Sequence, residues 1–174
     1  MRSIREVLKK AAHKLLESQN SNSPILDAEL LLLYALDQSG MAFNRTKLLT
    51  QSQYLIDENI ADEYMNLIEE RCKGKPVQYI TNRQEFMGLD FFVAEGVLIP
   101  RADTETVVEK VLEKASGMEK PNIIDMCTGS GAIAVSLAEN IPDARVWAAD
   151  ISGSALNCCG INVRRYGFEG RIKV

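Results

Sequence analysis

The stretch IIDMCTGSGAIAVSLA, residues 123–138, decides the fold. It opens as a β-branched run, breaks at a turn with two glycines and resumes with Ala, Ile, Val and Leu at helical spacing. A strand, a tight glycine turn and a helix in that order form a site for a nucleotide or a nucleotide-like ligand. The glycines permit a sharp turn and close backbone approach, and the helix aims its first N–H groups at the same place. Downstream, strand Arg145–Ala149, helix Ser154–Tyr166 and a closing RIKV repeat the alternation. Strands alternating with helices of this length predict a parallel sheet covered by helices. Ligands in such sheets sit beyond the carboxyl ends of the strands. Asp125 stands at the first of these ends and Asp150 at the second, 25 residues on.

Three readings of the turn compete. A P-loop requires Gly-Lys-Ser/Thr, and the turn has no lysine. A dinucleotide fingerprint, G-x-G-x-x-G/A, matches GSGAIA loosely from Gly129 to Ala134, but its register is off, because the first glycine comes four residues after Asp125, which ends the strand. An acidic residue, a short glycine turn and a second carboxylate placed for ribose hydroxyls is the arrangement of S-adenosylmethionine sites. That ligand has no pyrophosphate, and Asp125 is a candidate acceptor for its ammonium, directly or through water. The bland alternative is that the glycines only let the helix pack on the strand.

Upstream of the hairpin the chain reads as helices. Ser3 and Glu6 form a capping box, and Ile4, Val7, Leu8, Ala11, Ala12, Leu15 and Leu16 make one apolar face. Ser23 and Pro24 restart the chain as N-cap and first helical residue. ILDAELLLLYAL is apolar on nearly every side, which predicts a helix central to a bundle. A short helix is expected within NRTKLLTQSQYL. Asp57 then caps a long helix with Ile60, Ala61, Tyr64, Met65, Ile68 and Cys72 on one face, stopped by Gly74 and Pro76. Beyond it, VQYI is β-branched and aromatic, and EFMGLDFFV reads as a hairpin around Gly88. In VLIPRADTETVVEKVLEKA, Pro100 ends an extended stretch, Asp103 or Thr104 caps a helix, and Val107, Val108, Val111, Leu112 and Ala115 face inward. The expected architecture has two domains: an N-terminal all-α helical bundle over 1–75, a β-hairpin linker over 76–98, and a Rossmann-like α/β portion over 99–174.

Bulk properties narrow the function. The 174 residues carry 20 Lys+Arg against 24 Asp+Glu, a net charge of −4. Residues 1–75 hold 10 basic and 11 acidic side chains and residues 76–174 hold 10 and 13, so neither half has the basic excess of a nucleic-acid or anionic-membrane binder. The N-terminus has no uninterrupted apolar stretch of signal-peptide type, and no apolar run approaches the roughly 20 residues a spanning helix needs. Cys72, Cys127, Cys158 and Cys159 form no C-x-x-C pair. Reduced thiols in a cytoplasmic protein are the simple expectation, with Cys158 and Cys159 as small core residues of a helix. His13 lies off its helix's apolar stripe with no clustered partner, so no metal site is expected.

GKPVQYITNRQEFMGLDFFVAEGVLIPRADTETVVEKVLE, followed by IIDMCTGSGAIAVSLA and AADISGSAL, resembles the release-factor glutamine N5-methyltransferase family, most sharply in EFMGLDFFV, LIPRADTE and DMCTGSGAIA. The resemblance implies a class I S-adenosylmethionine-dependent methyltransferase. It implies that the helical domain helps engage a class 1 peptide chain release factor, and that the methyl acceptor is the glutamine amide nitrogen of the factor's Gly-Gly-Gln loop. Asp125, Cys127, Thr128, Gly129, Ser130, Gly131, Asp150 and Ile151 become the expected cofactor residues. LIPRADTE has two readings: Arg101 faces the cofactor's carboxylate and Thr104 donates to it, or Pro100 rigidifies a turn while Asp103 or Thr104 and Glu105 cap a helix. Phe86, Phe91 and Phe92 are expected to pack rather than to touch cofactor.

There are two departures from the family pattern. Cys127 stands where the family's Asp-Leu-Gly-Thr-Gly-Ser/Thr-Gly turn has its first glycine, and a small side chain there is expected to leave the turn intact with slightly less room. The family's Asn-Pro-Pro-Tyr motif, which holds the substrate amide after the fourth strand, matches nothing between Met1 and Val174. The resemblance therefore implies the first part of a two-domain protein roughly 280 residues long. It supplies the cofactor site, part of the partner surface and no catalytic residue, and is inactive alone. The full-length protein is expected as a monomer, while the 174-residue piece is open to self-association and to lability in its α/β part. Two alternatives stay open: an N-methyltransferase acting on nucleic acid or a small molecule, and a non-catalytic binding module for a translation factor.

Overall fold

In the computed structural model, which describes Met1–Val174 throughout, the chain divides into two compact units, Met1–Thr81 and Asn82–Val174. The first is helical. A two-residue strand, β1 (Arg2–Ser3), leads into α1 (Ile4–Ser18) through the expected capping box. Glu6 N–H donates to Ser3 Oγ (3.3 Å) and Ser3 N–H donates to the Glu6 carboxylate (2.9 Å). The Ser3 N–H bond, with a second from the Ser3 hydroxyl (2.8 Å), holds the Glu6 carboxyl below its usual range. α2 (Pro24–Gln38) packs on α1, and α3 (Arg45–Thr50) follows, capped by the Asn44 side chain on Lys47 N–H (2.8 Å). Next come β2 (Leu55–Ile56), which pairs antiparallel with β1 (Arg2 opposite Ile56), α4 (Glu58–Cys72) and α5 (Val77–Thr81). α2 contacts all four other helices, as its all-round apolar sequence implies. Tyr64 of α4 is fully buried, and its hydroxyl donates to Ala28 O of α2 (3.0 Å). Burial, with Glu29 nearby, pushes that phenol far above its ordinary value.

Several residues depart from the sequence reading. Leu16 is exposed at the edge of the α1 stripe, and Ile25, Leu26 and Leu30 leave one side of α2 open. Asp57 and Ser23 occupy N-cap positions, but neither side chain makes the capping bond. Val77–Thr81 is a helical turn. Pro76 leads it and accepts from Tyr79 and Ile80 N–H (both 3.1 Å), while Val77 and Ile80 bury against the helical core, so packing overrides β propensity.

The second unit begins with the hairpin, β3 (Arg83–Phe86) and β4 (Leu89–Phe92), in antiparallel register Arg83–Phe92 to Phe86–Leu89. Met87 (φ 52°) and Gly88 (φ 71°) both take the left-handed conformation of a tight primed turn. The hairpin is not a free linker. Phe86 and Phe91 are buried in the same core as the helices that follow, and Phe92 is half-buried. A single 3-10 turn, Ala102–Thr104, precedes α6 (Glu105–Ala115). Thr104 holds the N-cap position of α6 without a side-chain bond, and the Glu105 carboxylate instead accepts from Met87 N–H (2.8 Å). Val108 is buried, but Val107 is half exposed rather than facing inward.

β5 (Asn122–Met126), α7 (Ala132–Asn140), β6 (Arg145–Ala149), α8 (Gly153–Arg165) and β7 (Ile172–Lys173) complete the unit. The sheet is parallel in the order β5-β6-β7, with Ile124 opposite Trp147 and Met126 opposite Ala149. Asp125, Val146, Ala148 and Ile172 are on the buried face, and Ile124, Met126 and Trp147 are on the open one. No helix is long and apolar enough to cross a membrane.

Candidate cofactor site at the ends of two parallel strands

β5 and β6 end in register, so the residues just beyond Met126 and Ala149 share one end of the sheet. Thr128 N–H donates to Ala149 O (3.0 Å), carrying the ladder one step past the strand. Three residues of the turn have positive φ: Cys127 (62°), Gly129 (57°) and Gly131 (79°). Gly131 N–H closes the turn on Thr128 O (2.8 Å) and Gly131 becomes the N-cap of α7. A Cβ on Gly131 would lie 2.6 Å from Cys159 Sγ and 3.3 Å from Cys159 Cα, so only glycine fits between α7 and α8. A Cβ on Gly129 would meet nothing within 4 Å, and that side of the turn is open to a ligand. Cys127 keeps the turn, as expected for a small side chain. The departure is felt in the backbone, since a side chain in this conformation costs about 1 kcal/mol. Its thiol is exposed at the rim.

The two carboxylates have different surroundings. Asp150 accepts Gly129 N–H at Oδ2 (2.9 Å) and Ser152 N–H at Oδ1 (3.0 Å). The bonds from Ser152 and then Gly129, with a lesser one from the Ile151 backbone, hold its carboxyl below the ordinary aspartate value and leave part of its acceptor capacity unused. Beside it Ile151 is wholly exposed, an apolar side chain next to an ionised one. Asp125 is buried, and Thr128 Oγ1 donates to its Oδ2 (2.6 Å). Burial raises its pKa, opposed by the bonds from Thr128 and the Ala134 backbone. Its bonds to Thr128 and to the Ala134 backbone organise the turn and the first turn of α7. Ser130 is buried, with its carbonyl held by α8.

Two expected residues stand apart. Arg101 is exposed and Thr104 half-buried; Thr104 N–H donates to Arg101 O (2.9 Å), and no hydrogen bond or ion pair ties either to the turn. Cys158 and Cys159 are buried on α8, which pushes both thiols up to about 11. His13 is exposed and pairs with Glu17 (3.3 Å).

Sequence reasoning missed Asn162. Its side chain is fully buried and bonded to the backbone of Phe92 and of Ser130. A polar residue on the stripe Ala155, Cys158, Cys159, Val163 was the available signal.

Known proteins match on both sides of the division. The PrmC N-terminal domain family matches residues 6–81, and the methyltransferase small domain family matches residues 102–174. The release factor glutamine methyltransferase of Clostridium acetobutylicum is 40% identical over 171 residues, 98% of this chain and 58% of that protein. The protein of the same name from Moorella thermoacetica is 42% identical over 169 residues, 97% of this chain and 58% of its own. The chain belongs to the release factor glutamine methyltransferase family. It spans somewhat more than half the length of these two relatives. The first family match ends at residue 81, where the first compact unit ends, so α5 goes with the helices. The glycine turn and Asp150 fall inside the match to the methyltransferase small domain.

Proposed function

We propose that this chain forms the S-adenosylmethionine site of a protein-glutamine methyltransferase and that the whole protein acts on the Gly-Gly-Gln glutamine of class 1 peptide chain release factors. One observation carries the cofactor reading. An ionised carboxylate at the end of β6 is tied to the open side of the glycine turn through Gly129 N–H, with acceptor capacity left over and the Ile151 side chain bare beside it. That acceptor beside an apolar side chain fits a ribose with vicinal hydroxyls and a flat base. Residues 127–131 and 150–152 hold no lysine or arginine to meet a pyrophosphate.

When bound, S-adenosylmethionine supplies a methyl group on a positively charged sulfur. The chain's own residues do the positioning on which an in-line displacement chiefly depends. Asp150 fixes the ribose. Gly129 and the neighbouring peptide let the ligand approach the backbone. Ile151 lies along the base, and Cys127 and Thr128 border the turn. Asp125, held by Thr128, places negative charge behind the turn on the side of the ammonium. Arg101 and Thr104 are proposed at the methionine end. None of these groups orients an amide nitrogen, which is a poor nucleophile because its lone pair is delocalised. Residues 1–174 alone are therefore proposed to bind cofactor without turnover. The names of the relatives support the release factor as partner, and unit Met1–Thr81 is proposed to help engage it.

Calorimetry tests the reading. The full-length protein should bind S-adenosylmethionine and not NAD, and Asp150→Ala should weaken binding by about 1–3 kcal/mol, the cost of a lost hydrogen-bonded charged partner. NAD binding without S-adenosylmethionine binding overturns it. Mass spectrometry of the Gly-Gly-Gln peptide should show one added methyl with the full-length protein and none with Met1–Val174.

A further inference from the structure

The buried side chain of Asn162 connects three backbone groups that no other element pairs. Its Oδ1 accepts from Phe92 N–H (2.7 Å), and its Nδ2 donates to Phe92 O (2.9 Å) and to Ser130 O (2.9 Å). Two carbonyls and one N–H around it leave a single orientation for the carboxamide. One turn of helix further on, Tyr166 Oη accepts from Asp90 N–H (2.7 Å) and donates to Asp90 O (3.0 Å). Four helical residues rise about 6.0 Å and two strand residues about 6.7 Å. Asn162 of α8 and Tyr166 at its C-cap therefore match positions 92 and 90 of β4. The side chains of α8 serve the outer edge of the hairpin as a neighbouring strand would.

Asn162 is the member of this seam that also bonds the backbone of the glycine turn. Ser130 O and Gly131 N–H belong to one peptide plane. The carbonyl is held by Asn162 Nδ2 and the N–H by Thr128 O (2.8 Å), so the plane is fixed at both ends. In a turn with three left-handed residues, rotation of such a plane is the easy distortion, and it would also turn the Gly129 side that faces Asp150.

We propose that Asn162 is a positioning residue of the cofactor turn: its carboxamide locks the Ser130–Gly131 peptide plane in the ligand-binding shape and couples the turn to the end of the hairpin. The proposal rests on the cofactor reading above. Preorganising the turn removes an ordering cost from binding, and ligand at the turn should steady Phe92, across Asn162.

Asn162→Asp keeps the size of the side chain but turns an acceptor toward two carbonyls, and Asn162→Ala empties the position. Tyr166→Phe cuts the other end of the same seam without touching the turn. Calorimetry with S-adenosylhomocysteine on Met1–Val174 should show both Asn162 variants weakened about tenfold or more, the scale of a lost buried hydrogen bond. Tyr166→Phe should bind as the unaltered chain does, even where its melting temperature falls as far. Equal affinities in all of them, with only melting temperatures lowered, would make Asn162 structural and overturn the proposal. Amide exchange of the unaltered chain needs no variant: S-adenosylhomocysteine should slow Gly131 and Phe92 together, and slowing of Gly131 alone overturns the coupling. If the unaltered chain binds no S-adenosylhomocysteine, the cofactor reading fails. The coupling is then decided by exchange in Asn162→Asp, where loss of protection at Phe92 with Gly131 unchanged sinks it.

Discussion

The two units bury their apolar residues differently. In Met1–Thr81, α2 contacts the four other helices, and Tyr64, Leu31 and Leu32 are fully buried among them, with one side of α2 left open at Ile25, Leu26 and Leu30. The apolar residues left exposed, such as Leu16, Ile25 and Leu49, are scattered over three helices. In Asn82–Val174 the sheet is covered on one face only. On the other, Ile124 (66% exposed) lies directly opposite Trp147 (39%), with Met126 (70%) next along β5, and the outer edge of β5 pairs with no strand. A helix can close a core with a stripe, whereas a parallel sheet has two faces and needs both covered. The first unit thus has the more fully buried core and the second a half-covered sheet, yet the second holds the candidate site.

Mutation should expose that contrast most. Leu32→Ala, in the closed core, should cost about 3 kcal/mol of unfolding free energy, while Ile124→Ala on the open face should change it by less than about 0.5 kcal/mol. A comparable loss at Ile124 in denaturant melts would mean that the open face is covered in solution. Hydrogen exchange is the next test. Amides of α2 should exchange at least about a hundredfold more slowly than those of β5, because sub-global opening follows buried contacts. Equal, high protection in a dilute monomer would falsify the idea that the half-covered sheet is the weaker unit.

Gly131→Ala should then cost about 2 kcal/mol, since the new Cβ meets Cys159 and the positive φ is strained. A melting temperature unchanged from the parent would show that α7 and α8 can part. The smallest effect is in titration. Asp125 has a raised pKa, so the fold binds its proton more tightly than the unfolded chain does, and its contribution declines as pH rises through the interval above the ordinary aspartate value. Asp150 is lowered, so its contribution is present above the ordinary value and is lost as pH falls. Glu6, Glu58 and Glu69 in the helical unit follow the same sign as Asp150. Carboxyl carbon shifts should show Asp125 protonating first on acidification and Asp150 after it. The reverse order would mean that Asp125 is open to water.

Elements whose instructions are local were legible in the sequence. The capping box at Ser3, the α4 stripe, β5, α7 and β6 follow from periodicity and caps. The turn at 127–131 and Asp150 were legible because glycines and carboxylates at strand ends have few other uses. The β1–β2 pairing was not, since two residues have no period and only the packing of α1 beside α4 brings them together. Val77–Thr81 has strand-forming residues and becomes helix because Val77 and Ile80 find a core to enter. The different duties of Asp125 and Asp150 also required the fold. The residue types are the same, but burial sends one inward to Thr128 and leaves the other half-buried, held by the backbone N–H groups of Gly129 and Ser152. Asn162 marks the boundary. The sequence put a polar residue on an apolar stripe, and only the tertiary structure supplied its partners, because the backbone groups it serves lie 70 and 32 residues away along the chain.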